Sequence, residues 1–269
     1  MYKLVAIDID GTLLNSREEI TEEINTAIQA AKTKGVKVVL CTGRPIGGVY
    51  SFIEELKLND EEDFVITFNG ALVQNTRTKE VTTKNFLTNK DLKSLFELSQ
   101  KVNSPMHYFD LRDMYTPNKK INRYTVYESY TNQVPLHYRP MDETPKGIQI
   151  PKVMFIDDEK RLNAIIEAIP ESFKEKYTMV KSAPFFLEIL HPTVSKASAV
   201  KQLAEKLSIE REEIVCIGDG ENDLSMVKYA GCGVAMANAT PSVKKAADFQ
   251  TLSNDENGVA YAIEKLILN

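Results

Sequence analysis

The stretch LVAIDIDGTLL, residues 4–14, opens on four apolar residues and then turns abruptly acidic. An apolar run this short, with β-branched members and no alternation, reads as a parallel strand buried on both faces, here Leu4 to Ile9. Working outward, Thr21 can cap a helix whose Glu22 and Glu23 suit its N-terminal dipole and whose Ile24, Ala27, Ile28 and Ala31 form an apolar stripe. Gly35 stops that helix. A second buried strand, Val36 to Cys41, a helix from about Gly47 to Lys57 and a third strand, Phe64 to Phe68, extend the pattern to the turn signal Asn69-Gly70. Alternation of strand and helix in this way predicts parallel strands joined by crossover helices.

The last third repeats the style and is expected to join the same sheet: a helix Ser195 to Leu207, a strand Ile214 to Ile217, a helix Leu224 to Tyr229, a strand Gly233 to Met236 and a terminal helix from about Val259. Residues 85–190 differ, being rich in Tyr, Asn, Pro and Lys, with amphipathic helices over Asp91 to Val102 and Glu159 to Ile169 and exposed-looking strands. This shift in composition predicts an inserted α+β domain between two halves of an α/β core. A chain of 269 residues is long enough for two such domains.

The formal charge of −5 excludes a general attraction for nucleic acid. No apolar run approaches the ~18 residues of a membrane span, and MYKLVAI is too short for a signal peptide. Three cysteines, Cys41, Cys216 and Cys232, form neither a CxxC pair nor a metal-spaced set; Cys41 and Cys216, in apolar runs, read as reduced core residues of a cytoplasmic protein. His107, His137 and His191 lie in unlike contexts and point to no common site.

In an open parallel sheet, ligands bind at the carboxyl ends of the strands. Three polar segments follow predicted strands: Asp8-Ile9-Asp10-Gly11-Thr12, Thr42-Gly43-Arg44, and Gly218-Asp219-Gly220-Glu221-Asn222-Asp223. If these converge, Asp8, Asp10, Asp219 and Asp223 repel one another unless a cation lies among them, and hard oxygen ligands suit Mg²⁺ shared with a phosphate. Thr42 and Lys196, the latter at a helix start after an apolar strand (Phe185 to Leu190), can supply donors and positive charge for phosphoryl transfer. Taken singly, each has a plainer reading. DxDGT also describes a calcium-type loop or a turn, Thr42 a helix cap before Pro45, Lys196 a surface lysine, and Glu221 and Asp223 residues that favour a helix N-terminus.

Taken together, DIDGT at 8–12, Thr42-Gly43-Arg44, Lys196 and GDGEND at 218–223 resemble, in order and spacing, the four motifs of the haloacid dehalogenase-like hydrolases. With FNGALV at 68–73 and GVAMANATPSVKKAAD at 233–248, the whole chain resembles the Cof-type members that carry a large α/β cap, among them bacterial sugar phosphatases. The resemblance implies a doubly wound parallel-sheet (Rossmann-like) core, residues 1–84 and 191–269, with an inserted α+β cap domain at 85–190. It implies Asp8 as nucleophile and Asp10 as general acid and base. Mg²⁺ would be held by Asp8, the Asp10 carbonyl and Asp219, with Asp223 nearby, and phosphate by Ile9, Thr42, Gly43, Lys196 and Asn222. Ala197 departs from the glycine that relatives often carry after the lysine, without removing a functional group. Arg44, Arg123, Tyr124, Lys152 and Glu188 are candidate substrate contacts, with Tyr127 a further one. Against each in the inserted domain stands a solvated face or, for Glu188, a pairing with a buried base.

The expected activity is hydrolysis of small phosphate monoesters, sugar phosphates first, by a monomer or homodimer. A phosphomutase shares this chemistry and would yield an isomeric ester instead of free phosphate. A silent phospholigand-binding protein would be expected to have lost one of Asp8, Asp10, Lys196 or Asp219, and all four are present.

Overall fold

The computed structural model describes residues 1–269 and divides into two compact units, one formed by Met1–Gly43, Ser51–Thr83 and Ser195–Asn269, the other by Arg44–Tyr50 and Lys84–Val194. The first unit holds an eight-stranded sheet. Its strands are β1 (Leu4–Ile7), β2 (Lys37–Cys41), β3 (Phe64–Thr67), β4 (Leu72–Asn75), β5 (Val81–Lys84), β12 (Ile214–Gly218), β13 (Cys232–Ala235) and β14 (Phe249–Gln250), in the order β14-β13-β12-β1-β2-β3-β4-β5. From β14 to β3 every neighbouring pair is parallel, and β4 turns back antiparallel on β3.

All four residues of β1 are buried, as a strand covered on both faces requires. One face carries Leu4, Ala6, Val39, Cys41, Ile66, Ile214 and Cys216 against α7 (Lys196–Lys206) and α8 (Leu224–Tyr229). Helix α1 (Glu22–Thr33) packs with α10 (Gly258–Ile263) and with β2. The Thr21 side chain accepts from the Ile24 N–H, and Gly35, at φ +83°, turns the chain out of the helix as the sequence predicts. The predicted helix from Gly47 to Lys57 is shorter. Residues Ile46–Val49 form a 3₁₀ turn, and only α2 (Tyr50–Glu55) is α-helical. Gly47 and Gly48 weaken helix propensity there, and Gly48 lies so close to Asn132 that a Cβ would come within 3.0 Å of its Oδ1.

The second unit holds a six-stranded sheet of β6 (Met106–Phe109), β7 (Met114–Thr116), β8 (Leu136–Tyr138), β9 (Val153–Ile156), β10 (Thr178–Ala183) and β11 (Phe186–Leu190), ordered β10-β11-β9-β6-β7-β8. It is antiparallel except for the parallel β7–β8 pair. One face, with Met106, Tyr108, Val153, Phe155, Leu187 and Ile189, forms an apolar core with Leu92, Leu95 and Leu98 of α3 (Asn89–Lys101) and Leu162 and Ile165 of α5 (Glu159–Ala168). Strand alternation places His107, Met154 and Glu188 on the opposite face, where α4 (Arg123–Asn132) contributes Thr125 and Glu128. A short α6 (Glu171–Lys176) and, in the first unit, α9 (Pro241–Ala246) complete the helices. No helix is long and apolar enough to cross a membrane, and the three cysteines are free and buried.

His107 is fully buried, 3.3 Å from the Thr125 hydroxyl through Nδ1 and 3.1 Å from the Met154 sulfur through Nε2. Burial, reinforced by the charge of Lys152, pushes its pKa down to about 3. The folded protein therefore keeps a neutral imidazole while the unfolded chain takes up a proton below about pH 6.5, so this stabilisation is present above that pH and is lost as pH falls toward 3. The thermal midpoint of wild type relative to His107→Gln should accordingly shrink as pH falls from 7 to 5, by the equivalent of about 1.4 kcal/mol per unit below pH 6.5. A difference independent of pH would show that the imidazole titrates normally in the fold.

Candidate active site

Strands β1 and β12 run side by side in parallel, Ile7 opposite Ile217, and the Asp8 N–H donates to the Ile217 carbonyl at 3.0 Å. Asp8 and Asp219 thus leave the same edge of the sheet. After Asp8 the chain makes a wide turn in which Leu13 N–H donates to the Asp8 carbonyl and Leu14 N–H to that of Ile9. Gly11 sits at φ +77°, and a Cβ there would lie 2.5 Å from Asp219 Oδ2. Glycine is what lets the first loop approach the second carboxylate. The Thr12 hydroxyl then donates to Asp219 Oδ1 at 2.7 Å.

Lys196 is the first residue of α7, whose start is fixed by reciprocal hydrogen bonds between Ser195 and Ser198. The Phe68-Asn69-Gly70 turn packs against that start, Gly70 at φ +101° standing where a Cβ would meet the Ser195 carbonyl oxygen at 2.4 Å. The Lys196 ammonium, wholly buried, donates to Asp8 Oδ1 and to Asp223 Oδ1, each at 2.5 Å. Asp223 Oδ2 accepts from the Asp219 and Gly220 N–H groups at 2.9 and 2.8 Å, which shapes the loop that presents Asp219.

Burial, with Asp223 adding repulsion against the opposing pull of Lys196, raises the Asp8 pKa well above the usual carboxylate range. Asp219 is pushed up to about 6, again chiefly by burial and then by Asp223. Burial works against the Lys196 charge, but Asp223 and Asp8 more than offset it, and its pKa rises. One lysine is thus outnumbered by the carboxylates around it. Oxygens of Asp8, Asp219 and Asp223 lie within 4.8 Å of one another, a hard-oxygen set whose excess negative charge fits a divalent cation. Both Asp223 oxygens already accept hydrogen bonds, so Asp223 suits the role of orienting the lysine and loop better than that of a direct ligand.

Asp10 is exposed. The Ile9 side chain is buried, leaving only its main chain for a ligand. Thr42, also buried, follows β2; its N–H donates to Ile66 and its carbonyl accepts from the Asn69 N–H. Asn69 was read from sequence only as a turn residue. Held at φ +54°, its amide lies where a Gly43 Cβ would approach to 3.1 Å, and its Oδ1 accepts from Asn222 Nδ2 at 3.1 Å. Asn69 therefore ties the Thr42-Gly43 segment to the Asn222 loop. Its signal in the sequence was a non-glycine residue in a turn directly after a buried strand. Thr12 and Asn238, whose Nδ2 donates to the Gly11 carbonyl at 2.8 Å, also shape the site and were not singled out. Glu221 accepts from the Ser242 hydroxyl at the exposed rim.

Arg44, Arg123, Tyr124, Lys152 and Glu188 belong to the second unit. Arg123 is exposed and pairs with Asp158, which also accepts from the Tyr124 hydroxyl at 2.9 Å, while the Tyr124 ring stacks on Phe185 at 4.5 Å. Lys152 and Glu188 are 1% and 3% exposed and lie 3.2 Å apart, with Glu128 3.5 Å from the same ammonium. Lys152 is no part of a solvated face, and Glu188 pairs with a buried base, as one reading of the sequence has it. Charges sequestered in this way are held by their own ion pairs.

The family of haloacid dehalogenase-like hydrolases matches residues 5–263, and the chain belongs to it. It is an α/β phosphoric monoester hydrolase, a phosphatase of the Cof type. It is 60% identical to a Bacillus subtilis protein named "Putative phosphatase YxeH" over 268 residues, 100% of this chain and 99% of that one. The Bacillus subtilis 5-amino-6-(5-phospho-D-ribitylamino)uracil phosphatase YcsE is 32% identical over 99% of this chain and 96% of its own. Among solved structures, a haloacid dehalogenase-like hydrolase from Bacteroides thetaiotaomicron superposes with a TM-score of 0.87 at 34% identity, covering 99% of this chain and 100% of its own. A sugar phosphatase of subclass IIB superposes at 0.81 with 26% identity, covering 98% of each chain.

Replacing Lys196 by Met leaves Asp8 and Asp223 buried together without their counter-charge. The metal-free protein should lose about 3 kcal/mol at neutral pH. Added Mg²⁺ should raise the thermal midpoint of Lys196→Met by more than that of wild type, since the ion then supplies the missing charge. Equal midpoints for the two proteins without metal would show that the lysine does not hold these carboxylates.

Proposed function

We propose that this phosphatase transfers the phosphoryl group of a small sugar or polyol phosphate to Asp8 and then hydrolyses the aspartyl-phosphate. The observation that carries the reading is the Asp8 carboxylate itself, fixed through one oxygen by a buried lysine, at the end of a central strand, with Asp10 exposed two residues on. A nucleophile needs such fixed aim, and an acid that must exchange protons needs access to solvent.

In the first step an Asp8 oxygen forms a bond to phosphorus while the ester oxygen departs, taking a proton from Asp10. In the second, a water oxygen attacks the same phosphorus, Asp10 recovers a proton from it, and the Asp8 oxygen is released with free phosphate. Lys196 holds Asp8 in place and offsets the charge that gathers there. Thr42, the Ile9 and Gly43 main chain and Asn222 bind the phosphoryl oxygens. Asp8, the Asp10 carbonyl and Asp219 would hold Mg²⁺, which supplies positive charge to the transferring phosphate, with Asp223 orienting the set. Arg44, Arg123 and Tyr124, with the buried pair Lys152 and Glu188, are the candidate substrate residues.

The substrate class is supported by relatives whose names specify a sugar phosphatase and a phosphatase of a phosphoribityl compound. Three buried, unpaired cysteines fit residence in the reducing cytoplasm.

Asp8→Asn keeps the shape of the site and removes the nucleophile, so release of phosphate from the best ester in a panel of phosphorylated metabolites should fall at least ~10³-fold in kcat. Retention of a tenth of wild-type turnover would contradict the covalent route. Chelation should abolish turnover and Mg²⁺ restore it. Ca²⁺, which accepts more ligands at looser distances, should restore little. Appearance of an isomeric ester in place of free phosphate would assign a mutase instead.

A further inference from the structure

Within the second unit, residues 110–112 of the turn between β6 and β7, Arg139 just after β8, Pro145 and residues 147–149 line an open cleft of about 430 Å³. That volume falls within the range of small-molecule sites. Its lining includes two arginines, Arg112 and Arg139, and neither is paired with a carboxylate. Arg139 is held by aromatic groups instead. Its guanidinium lies 3.6 Å from the centroid of the Tyr115 ring. Tyr115 in turn stands between its cross-strand neighbours Tyr108 and His137, with ring centroids 5.5 and 5.4 Å away. A guanidinium has five N–H donors, so this support immobilises the group and leaves donors to spare. The Arg112 main chain is fixed by its N–H, which donates to Asp110 Oδ1 at 2.8 Å, while its side chain is exposed.

The lining contains one carboxylate, Asp110, and its oxygens are already occupied. Oδ1 accepts from the Arg112 and Asp113 N–H groups, each at 2.8 Å, and Oδ2 from the Tyr115 hydroxyl at 3.0 Å. A Cβ at Gly147 would meet nothing within 4 Å, so the wall opposite is open. Among the lining side chains two cations stand against one hydrogen-bonded anion, while Asp113, next in the turn, lies 3.3 Å from His137 Nε2 and 3.4 Å from the Tyr115 hydroxyl. The forked donors of arginine match the oxygens of a tetrahedral dianion. Asp142 and Glu143 are close in sequence but are not in the lining.

We propose that this cleft binds the phosphate group of a small molecule, either inorganic phosphate or a phosphorylated metabolite, at a site formed entirely by residues of the second unit. Arg139 is the preformed anchor, and Arg112 closes on the anion from the rim. The site would let the concentration of a phosphate compound act on the second unit without occupying the reacting centre.

The test is a titration of the full-length protein, labelled with nitrogen-15, with two probes: inorganic phosphate and a non-hydrolysable sugar phosphonate. Amide signals of residues 110–113 and of Gly147 should shift saturably, separately from those of the 219–222 loop. Arg112→Gln, which removes an exposed side chain without a structural partner, should weaken the first response about tenfold and leave the second unchanged. Arg139→Gln should abolish the first response. If only inorganic phosphate saturates the cleft, the ligand is the free anion, and if only the phosphonate does, it is an organic ester; both support the site. No saturable shift at residues 110–113 with either probe, or a response in Arg112→Gln equal to that of wild type, overturns it.

Discussion

The ammonium of Lys196 between Asp8 and Asp223 is the contact on which the catalytic edge depends. Parallel pairing delivers Asp8 and the Asp219 loop to one side of the sheet, and three carboxylates cannot remain ionised at such range without compensating charge. Lysine supplies part of it and also reads out position, because its reach of 2.5 Å to both acids requires α7 to start where it does. That start is set by the serine capping pair and by the close approach of Gly70 to Ser195, so a turn far from the carboxylates in sequence determines how Asp8 is held. The arrangement leaves the site short of positive charge, which is the condition a divalent cation and an incoming phosphate can satisfy together.

Much of this edge was legible in the sequence, because its cause is local. An uninterrupted apolar run ending in polar residues states both that a strand is buried and where its carboxyl end lies, and three such endings carry Asp8, Thr42 and Asp219. The capping residue Thr21 and the stop at Gly35 were legible for the same reason. Asn69 was not. Its contribution depends on a left-handed backbone that puts its amide between Gly43 and Asn222, partners 26 and 153 residues away in the chain, and no local rule anticipates that meeting. The helix expected from Gly47 also failed, since two glycines lower its propensity and Gly48 packs closely on Asn132 within the second unit.

The second unit was harder to read because α4 inverts the usual pattern. Its buried positions are Thr125, Glu128 and Asn132, whereas Val126, Tyr127 and Tyr130 are 52%, 49% and 82% exposed. Binary patterning assigns the apolar side of such a helix to the core and the charged side to water. Here the polar side meets the sheet because the sheet presents polar partners, His107 to Thr125 and Lys152 to Glu128. A helix docked by satisfied polar pairs gives no amphipathic signal of the expected sign. For that reason nothing in the sequence marks Lys152 as buried.

The two units thus contain the same element, a buried lysine between two acids: Lys196 with Asp8 and Asp223, and Lys152 with Glu128 and Glu188. Burial does not distinguish them, since both lysines are almost wholly enclosed. What differs is the company. Lys196 lies at the carboxyl ends of parallel strands, where Asp219 remains partly accessible, Asp10 is exposed and loop N–H groups face the acids. Lys152 precedes a strand in a largely antiparallel sheet, and its acids come from a neighbouring strand and an overlying helix. The first triad is itself buried, but Asp219 and Asp10 beside it reach solvent and open a way to it. The second uses its charges to fix α4 to the sheet, and breaking one pair would leave a buried charge with no substitute. Titratable residues in close contact therefore mark a reactive site only when the backbone also opens a path to them, and in this fold the direction of the strands decides where that path runs.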